Sequence, residues 1–137
     1  MENALAIIPT QNSELGAAYC SIQATGNRAD DAKVFNAINN PEYRIADFIN
    51  KRIEVENFAV EIVELENEET GEVSRVPRVV LIDTDGAAYQ ATSIGMLTAI
   101  KNAVIVFGNA PWNPALEIEI KQKATRSGSM LTFTVVQ

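Results

Sequence analysis

The sequence predicts a mainly β domain of five strands in which one helix separates the third strand from the fourth. Apolar and polar residues alternate through most of residues 52–91 and again through 116–135, as they do in strands with one buried face. Between these stretches, residues 94–107 carry apolar side chains at the spacing of a helix. With 47% hydrophobic residues among 137, the chain is large and apolar enough for one domain with its own core.

The first predicted strand is long, from Arg52 to Leu65, and rich in Ile and Val. Its apolar residues are odd-numbered at Ile53 and Val55, even-numbered within 58–62, and odd-numbered again at the end of the strand. Neighbouring strand residues point to opposite faces, so these changes of phase predict a bulge, a sharp coil or burial on both faces. A strongly curved first strand is what a small barrel requires.

Turn signals separate the next two strands. Residues 66–72 are polar and contain a glycine near their end, which is typical of an exposed hairpin tip. The second strand follows at 73–83, where Pro77 removes a hydrogen-bond donor and therefore predicts an edge or a bulge. Asp85-Gly86 is a two-residue turn signal, and residues 87–91 form the short third strand.

The helix is marked at both ends. Ser93 is a good N-cap, and Gly108 stands where a C-cap belongs. Two further strands, at 116–121 and 131–135, form a closing hairpin with its turn at 126–129. The apolar residues at helical spacing are Ile94, Leu97, Ile100, Val104 and Phe107.

This order of strands and helix is that of the OB-fold, a small Greek-key barrel that binds oligonucleotides or oligosaccharides. We therefore divide the chain into an N-terminal extension, residues 1–50, and an OB-like five-stranded barrel, residues 51–137. The extension is expected to cap the barrel or to serve as an oligomerisation arm. Its predicted elements are strands at 5–8 and 17–24, a helix at 30–38 and a helical turn at 45–50.

Residue counts exclude most catalytic and metal chemistry. The chain has no histidine and one cysteine, Cys20, which excludes a Ser-His-Asp or Cys-His nucleophile, a thiolate zinc site and an intrachain disulfide. The run Asp83-Thr84-Asp85-Gly86 begins like a calcium loop but lacks the later acidic ligand. No phosphate-binding glycine motif occurs. We therefore expect no enzyme, no catalytic residue, no metal and no cofactor.

No membrane segment is expected either. The N-terminus has no cationic region ahead of an apolar run, as a secretory signal would require. The longest apolar stretch, near residues 103–107, is far shorter than the roughly 20 residues of a membrane span. The sequence thus predicts a cytosolic protein that contacts no membrane.

Charge is distributed unevenly along the chain. The 11 Lys and Arg against 18 Asp and Glu give a net charge of −7. Residues 1–69 hold five basic and 13 acidic side chains, whereas residues 70–137 hold six basic and five acidic ones. Eight glutamates and no cation lie between Glu54 and Glu72. Because the local field governs attraction of a polyanion more than net charge does, the acidic sum does not exclude nucleic acid.

Basic residues on the predicted strands are the candidates for phosphate contacts. Arg75 and Arg78 would face opposite sides of an unbroken strand, and a bulge at Pro77 would bring them together. Lys121 and Lys123 share one face of the fourth strand with two glutamates. The alternative is that the lysines are solvated surface. The candidate cations are Arg75, Arg78, Lys121, Lys123 and Arg126.

Three rings are candidates for stacking on bases, which is how single-strand binders complement their cations. Tyr89 is the first of them because it follows the Asp85-Gly86 turn directly; Phe58 and Trp112 are weaker candidates. Each has a structural alternative. Phe58 shares the phase of its apolar neighbours and would then be core, Trp112 could anchor its proline-flanked loop, and Tyr89 could cover a barrel end.

The block DGAAYQA at 85–91, followed by a Ser-led helix and a Lys-rich hairpin with a Ser-Gly-Ser turn, carries a family resemblance. It resembles the small single-stranded DNA-binding proteins of protein-primed phages and related mobile elements of Gram-positive bacteria. The longer block VELENEETGEVSRVPRVVLIDTDGAAYQA looks similar too. The resemblance covers about residues 50–137, and the first 50 residues have no counterpart in it.

The resemblance implies an OB-like barrel that coats single strands during replication, with tyrosines that stack on bases. Only Tyr89 carries over by position. Where the family has further tyrosines before its turn, this chain has Phe58 and glutamates. The number of stacking rings in this chain therefore stays open.

We accordingly predict a non-enzymatic, sequence-independent single-stranded DNA-binding protein of phage or mobile-element replication, in the cytoplasm of the bacterial host cell. Its expected partners are single-stranded DNA, further copies of itself, and replication proteins that contact the acidic hairpin from Glu64 to Glu72. The alternative is an oligomeric structural or interaction subunit built on a small β-barrel, without DNA binding. The acidic sum and the apolar residues 5–8, which could pair with a neighbouring subunit, suggest this alternative.

Overall fold

Seven strands and two helices make up the fold in the computed structural model, which describes residues 18–126 and 128–136. The strands are β1 (Ala18–Cys20), β2 (Tyr43–Arg44), β3 (Arg52–Glu66), β4 (Val73–Asp83), β5 (Ala88–Thr92), β6 (Leu116–Thr125) and β7 (Gly128–Val135). The helices are α1 (Arg28–Asn39) and α2 (Ile94–Phe107), and a 3-10 turn spans Ile45–Phe48. The mainly β prediction is confirmed. The strand predicted at 5–8 lies outside the described residues.

All seven strands belong to one curled sheet. The hydrogen-bonded order is β2-β5-β4-β3-β6-β7, and β1 pairs with β3 off this path. The long strand β3 pairs with β6 through residues 52–55 and with β4 through residues 55–66. One strand thus lies in both halves of the sheet and bends it into a half-barrel. Within the described residues β5 and β7 form no ladder, so the barrel is open along the seam between them.

A bulge in β3 explains its change of apolar phase. The β3–β4 register shifts between Val55 and Asn57, which is the first of the three alternatives that the changes of phase left open. Val55 before the shift and Phe58 after it both point into the barrel core. The extra residue therefore turns the following side chains to the other face while the strand continues.

Burial on both faces of the sheet explains the continuous apolar run at 79–82. Val79 and Leu81 face the barrel core with α2, whereas Val80 and Ile82 lie in a second cluster on the outer face. Side chains of β1 and α1 pack against this second cluster. The described part of the N-terminal extension therefore covers the outer face of β4 and β5.

The bulge hypothesised at Pro77 is wrong, because the β3–β4 register is continuous from Asn57 opposite Ile82 to Glu66 opposite Val73. Pro77 lies just beyond the β4–β5 ladder, which begins at Arg78, so its missing donor costs no hydrogen bond to β5. Without a bulge, Arg75 and Arg78 stay on opposite faces of β4.

The helix α2 begins and ends where the sequence predicts. The Ser93 side chain accepts a hydrogen bond from the Met96 amide, and Gly108 ends the helix at a φ of 87°. Gly95 packs directly on β7, so closely that a Cβ there would overlap the carbonyl oxygen of Leu131. This approach places the first turn of α2 beside the open seam. Among the described residues no helix has the length and apolar character to cross a membrane.

Candidate nucleic-acid interface

Three rings form a cluster at the edge of the sheet where β2 pairs with β5. Tyr43 lies opposite Tyr89 in the parallel ladder, and their rings stack with centroids 5.0 Å apart and planes at 25°. Phe48 meets Tyr89 edge-on at 5.0 Å and Tyr43 at 5.4 Å. Tyr89 is only 8% exposed, whereas Tyr43 is 40% exposed. Tyr43 is therefore the solvent-facing ring of the stack, and Tyr89 supports it from beneath.

Asp83 fixes the position of Tyr89. The phenol donates a 2.8 Å hydrogen bond to Oδ2 of Asp83. The other carboxylate oxygen accepts from the amides of Asp85 and Ala87 and so holds the turn. Burial first, and then the bond to Asp83, raise the pKa of the Tyr89 phenol well above its usual value. One carboxylate thus holds both the Asp-Gly turn and the ring that follows it.

Tyr43 was missed by the sequence reasoning. It lies in a two-residue strand inside the N-terminal extension, and only the parallel pairing with β5 brings it to Tyr89. Parallel pairing between segments so far apart leaves no local pattern. The available signal was the position of Tyr43 between Glu42 and Arg44 in a polar stretch. An aromatic residue there belongs to no apolar helix or strand pattern, so its ring is a candidate for a ligand contact.

Phe58 and Trp112 stack on each other in the barrel core, with centroids 5.5 Å apart. Their exposures are 0% and 5%. The Trp112 indole donates to the Gly108 carbonyl oxygen, which ties the loop after α2 to the helix end. Neither ring presents a face to solvent. In this conformation Phe58 is a core residue and Trp112 anchors its loop.

Arg78 lies on the outer face of β4, beneath the end of α1. Its guanidinium pairs with Glu61 at 3.2 Å, donates to Gln90, and donates to the Ile38 carbonyl oxygen in the last turn of α1. All of these contacts are made inside the protein, and the side chain is mostly buried. Arg78 thus fastens α1 to the sheet and is not available to a phosphate in this arrangement.

The lysines of β6 differ from each other. Lys121 pairs with Glu119, and Arg52 approaches Glu117 and Glu119 at 3.7 and 3.8 Å. The hydrogen bond from Lys121 is the main cause that holds the pKa of the Glu119 carboxyl below its usual range. Lys123 is exposed and lies opposite Met130 in the β6–β7 ladder. Lys121 is therefore partly neutralised, and Lys123 keeps its full charge.

Two other candidate cations lie at the ends of strands. Arg126 is exposed at the β6–β7 turn, and Arg75 is exposed opposite Glu64 near the acidic hairpin. Across residues 18–126 and 128–136, neither of them nor Lys123 forms an ion pair. Lys121, Lys123 and Arg126 follow one another along the β6–β7 hairpin, whereas Arg75 and Arg78 lie on β4.

A groove follows the open seam between β5 and β7. We call it the seam groove; its first part has a volume of about 390 Å³ and is lined by Arg44, Ala46, Gln90, Ala91, Thr92 and Leu131. Arg44 follows Tyr43 directly in β2, so its side chain points to the opposite face of the sheet from the Tyr43 ring, and the groove runs along the Arg44 side of this edge. The side chain of Arg44 is mostly exposed and pairs with Asp47 at 3.5 Å, a surface contact of little strength. A ligand anion could therefore replace it.

Comparison with known proteins decides what kind of molecule this is. The family model of the phage single-stranded DNA-binding proteins of the phi29 type matches residues 12–136. The chain belongs to this family. The resemblance and the DNA-binding function predicted from the sequence are thereby confirmed. Neither a curated protein nor a solved structure matches the chain significantly.

The family match also extends further toward the N-terminus than the resemblance did. It begins at residue 12 and therefore includes β1, α1 and β2, for which the resemblance offered no counterpart. In this phage single-stranded DNA-binding protein, the segment that carries Tyr43 and Arg44 is part of the family's matched region. The family is one of non-enzymatic DNA-binding proteins, in keeping with the scarcity of catalytic residue types in the chain.

Proposed function

We propose that this protein coats single-stranded DNA during phage replication by stacking bases on Tyr43 and by holding the backbone along the seam groove. Family membership supports DNA as the ligand. The exposed ring of Tyr43, stacked on a buried and hydrogen-bonded Tyr89, carries the assignment of the site. A ring that is already ordered loses little conformational entropy when a base stacks on it.

Stacking gives affinity without sequence selectivity, because every base has a π face. Tyr43 is held on one side by Tyr89 and touched edge-on by Phe48, so its outer face is the one that receives a base. Lys51 lies 5.7 Å from the centre of the Phe48 ring, which places a cation close to the same cluster. The site thus offers a ring for the base and a positive charge for its phosphate.

The proposed phosphate contacts are cations that are exposed and weakly paired. They are Arg44 at the end of β2, Lys51 just before β3, and Lys123 and Arg126 on the β6–β7 hairpin. Lys121 contributes less because Glu119 already holds it. With four phosphates neutralised, the logarithm of the binding constant would fall against the logarithm of salt concentration with a slope of about −3.

The acidic hairpin, Glu64 to Glu72, has a separate proposed role. It joins β3 to β4 and is exposed throughout, and Arg75 is the cation opposite it in the ladder. Like charges repel DNA over about 10 Å at ordinary salt. We therefore place the hairpin outside the DNA path, where it either confines the strand to the seam or meets a basic replication protein in the cytoplasm of the host cell.

A salt-dependent titration of labelled oligo-dT tests the proposal. Wild-type protein should bind with the salt slope given above, and Tyr43→Ala should weaken binding about fivefold to a hundredfold with the slope unchanged. The matched control is Phe35→Ala, which removes an exposed ring on α1 and should bind as wild type does. Equal losses in both variants would refute the assignment to Tyr43, and no wild-type binding at low salt would refute the function.

A further inference from the structure

The seam groove continues into an apolar section with a volume of about 460 Å³, beside the first turn of α2. It shares Thr92 and Leu131 with the first part. Its walls also include Val76 of β4, Ile94 and Thr98 of α2, and Met130 of β7. We call it the apolar end of the seam groove.

Two of its walls are large apolar side chains that the fold leaves in water. Ile94 is 67% exposed and Met130 is 38% exposed. They belong to different elements, and the groove lies between them. Gly95, next to Ile94, packs on the backbone of Leu131, next to Met130, so the separation of the two walls is fixed. The two side chains therefore offer apolar surface on either side of one groove, into which a flat apolar group can fit.

The charge beside the apolar end is that of Lys123, which would attract an anion that carries apolar groups. The residues that line it carry no carboxylate and no cation, and the first turn of α2 has no acidic residue. Lys123 lies opposite Met130 on the same face of the hairpin, where paired Cβ atoms are about 5 Å apart. Arg126 follows three residues later and is exposed.

We infer that the apolar end is a second nucleobase subsite, in which a base lies between Ile94 and Met130 while Lys123 contacts its phosphate. The inference rests on the proposed function and extends it, since it assigns DNA to residues with no aromatic ring. Ile and Met side chains pack against base faces through apolar contact. The subsite therefore accepts any base, as Tyr43 does.

Continuity of the groove sets the path of the strand. The groove follows β5 from Gln90, next to Tyr89, to Thr92 and then reaches Ile94, while Tyr43 lies opposite Tyr89 at the start of this path. Three residues of strand span about 10 Å. The Tyr43 ring and the apolar end are therefore close enough for a few nucleotides to connect them. One strand can occupy both, and an oligonucleotide too short to span them gains from only one.

The test compares two double variants that each truncate two exposed apolar side chains. Ile94→Ala with Met130→Ala removes both walls of the apolar end. The control, Ile105→Ala with Val106→Ala, removes two exposed apolar side chains at the other end of α2. We expect the first variant to bind a long oligo-dT about fivefold or more weakly with an unchanged salt slope, and the control to bind as wild type does.

A second readout locates the base directly. An oligonucleotide containing photoactivatable 5-bromodeoxyuridine should cross-link to the peptide that contains Met130 in the wild type, and less so in the Ile94/Met130 variant. Thermal unfolding checks that both variants fold, as expected for exposed positions. If wild type binds DNA while the Ile94/Met130 variant matches it in affinity and cross-linking is absent, the subsite is refuted and the proposed function stands. If wild type does not bind, the proposed function itself is refuted.

Discussion

The phenol of Tyr89 donates a hydrogen bond to Asp83, six residues earlier in the chain, across the turn that joins β4 to β5. The same carboxylate accepts from two amides of that turn. Tyr43 stacks on the ring that this bond positions. A turn residue thereby orients the exposed ring to which we assign base stacking, through one buried intermediate.

Tyr89→Phe tests whether the hydroxyl of Tyr89 matters for stability alone or also for DNA binding. The variant loses the bond to Asp83 but keeps the ring beneath Tyr43, so stability should fall by about 1–2 kcal/mol while affinity for oligo-dT changes less than about twofold. Urea unfolding and the DNA titration measure the two effects. Tyr89→Ala removes the support as well and should weaken both. A Tyr89→Phe variant that loses as much affinity as Tyr43→Ala would show that the phenol itself contacts DNA.

Arg78 and Lys123 should respond in opposite ways to loss of charge. Arg78→Met leaves Glu61 and the Ile38 carbonyl without their partner, so stability should fall by about 1–3 kcal/mol with the salt slope of DNA binding unchanged. Lys123→Met removes an exposed, unpaired charge, so stability should hold and the magnitude of the slope should fall by about 0.7. Chemical unfolding and salt titrations of both variants supply the comparison. A reduced slope in Arg78→Met would contradict its assignment as a clamp for α1.

Gly95→Ala should destabilise the barrel. The added methyl group would overlap the Leu131 carbonyl oxygen, which is backbone and cannot rotate away, so α2 or β7 must shift. Overpacking of this kind costs about 1–3 kcal/mol or more. Thr98→Ala, at an exposed position of the same helix, is the control and should change stability little. Equal thermal unfolding temperatures for both variants would show that α2 does not pack on β7 as described.

Glu119 should give the stability of the protein a small dependence on acid pH. Its pKa is lowered, mainly by the hydrogen bond from Lys121, so the folded state binds a proton less readily than the unfolded state does. The resulting stability is present above the ordinary pKa of a glutamate and is lost as pH falls through the lowered value. In Lys121→Gln the pKa of Glu119 should rise, as NMR titration of its carboxyl carbon would report. An unchanged pKa would mean that the pair does not form in solution.

Local sequence signals accounted for the elements of the barrel. The strand at 73–83 and the helix bounded by Ser93 and Gly108 agree with the structure, because capping, turn chemistry and apolar period act within a few residues. The phase change after Val55 indicated an irregularity in β3, and the structure shows that it is a bulge. These are short-range constraints that any chain with this local sequence would meet.

Side-chain partners were harder to predict, because they depend on segments distant in sequence. Arg78 looked like a phosphate contact until the end of α1, 40 residues earlier, was found against it. Phe58 and Trp112 could be assigned to ligand or to core, and only their stacking inside the barrel distinguishes the two. The hypothesis of a bulge at Pro77 was wrong because Pro77 has no partner in β5. A residue without an N–H fits such a position without any change of register.

The sequence by itself determined the β-rich order of elements, the absence of histidine, and the resemblance that the family match confirmed. Tertiary structure decided which ring faces solvent and which cations stay unpaired. Tyr43 becomes the outer ring of a stack only because a two-residue strand pairs in parallel with β5. The two edges of the seam face each other because β3 pairs with both β4 and β6 and so curls the sheet. Such long-range pairings are set by packing of the whole chain, and a local pattern does not encode them.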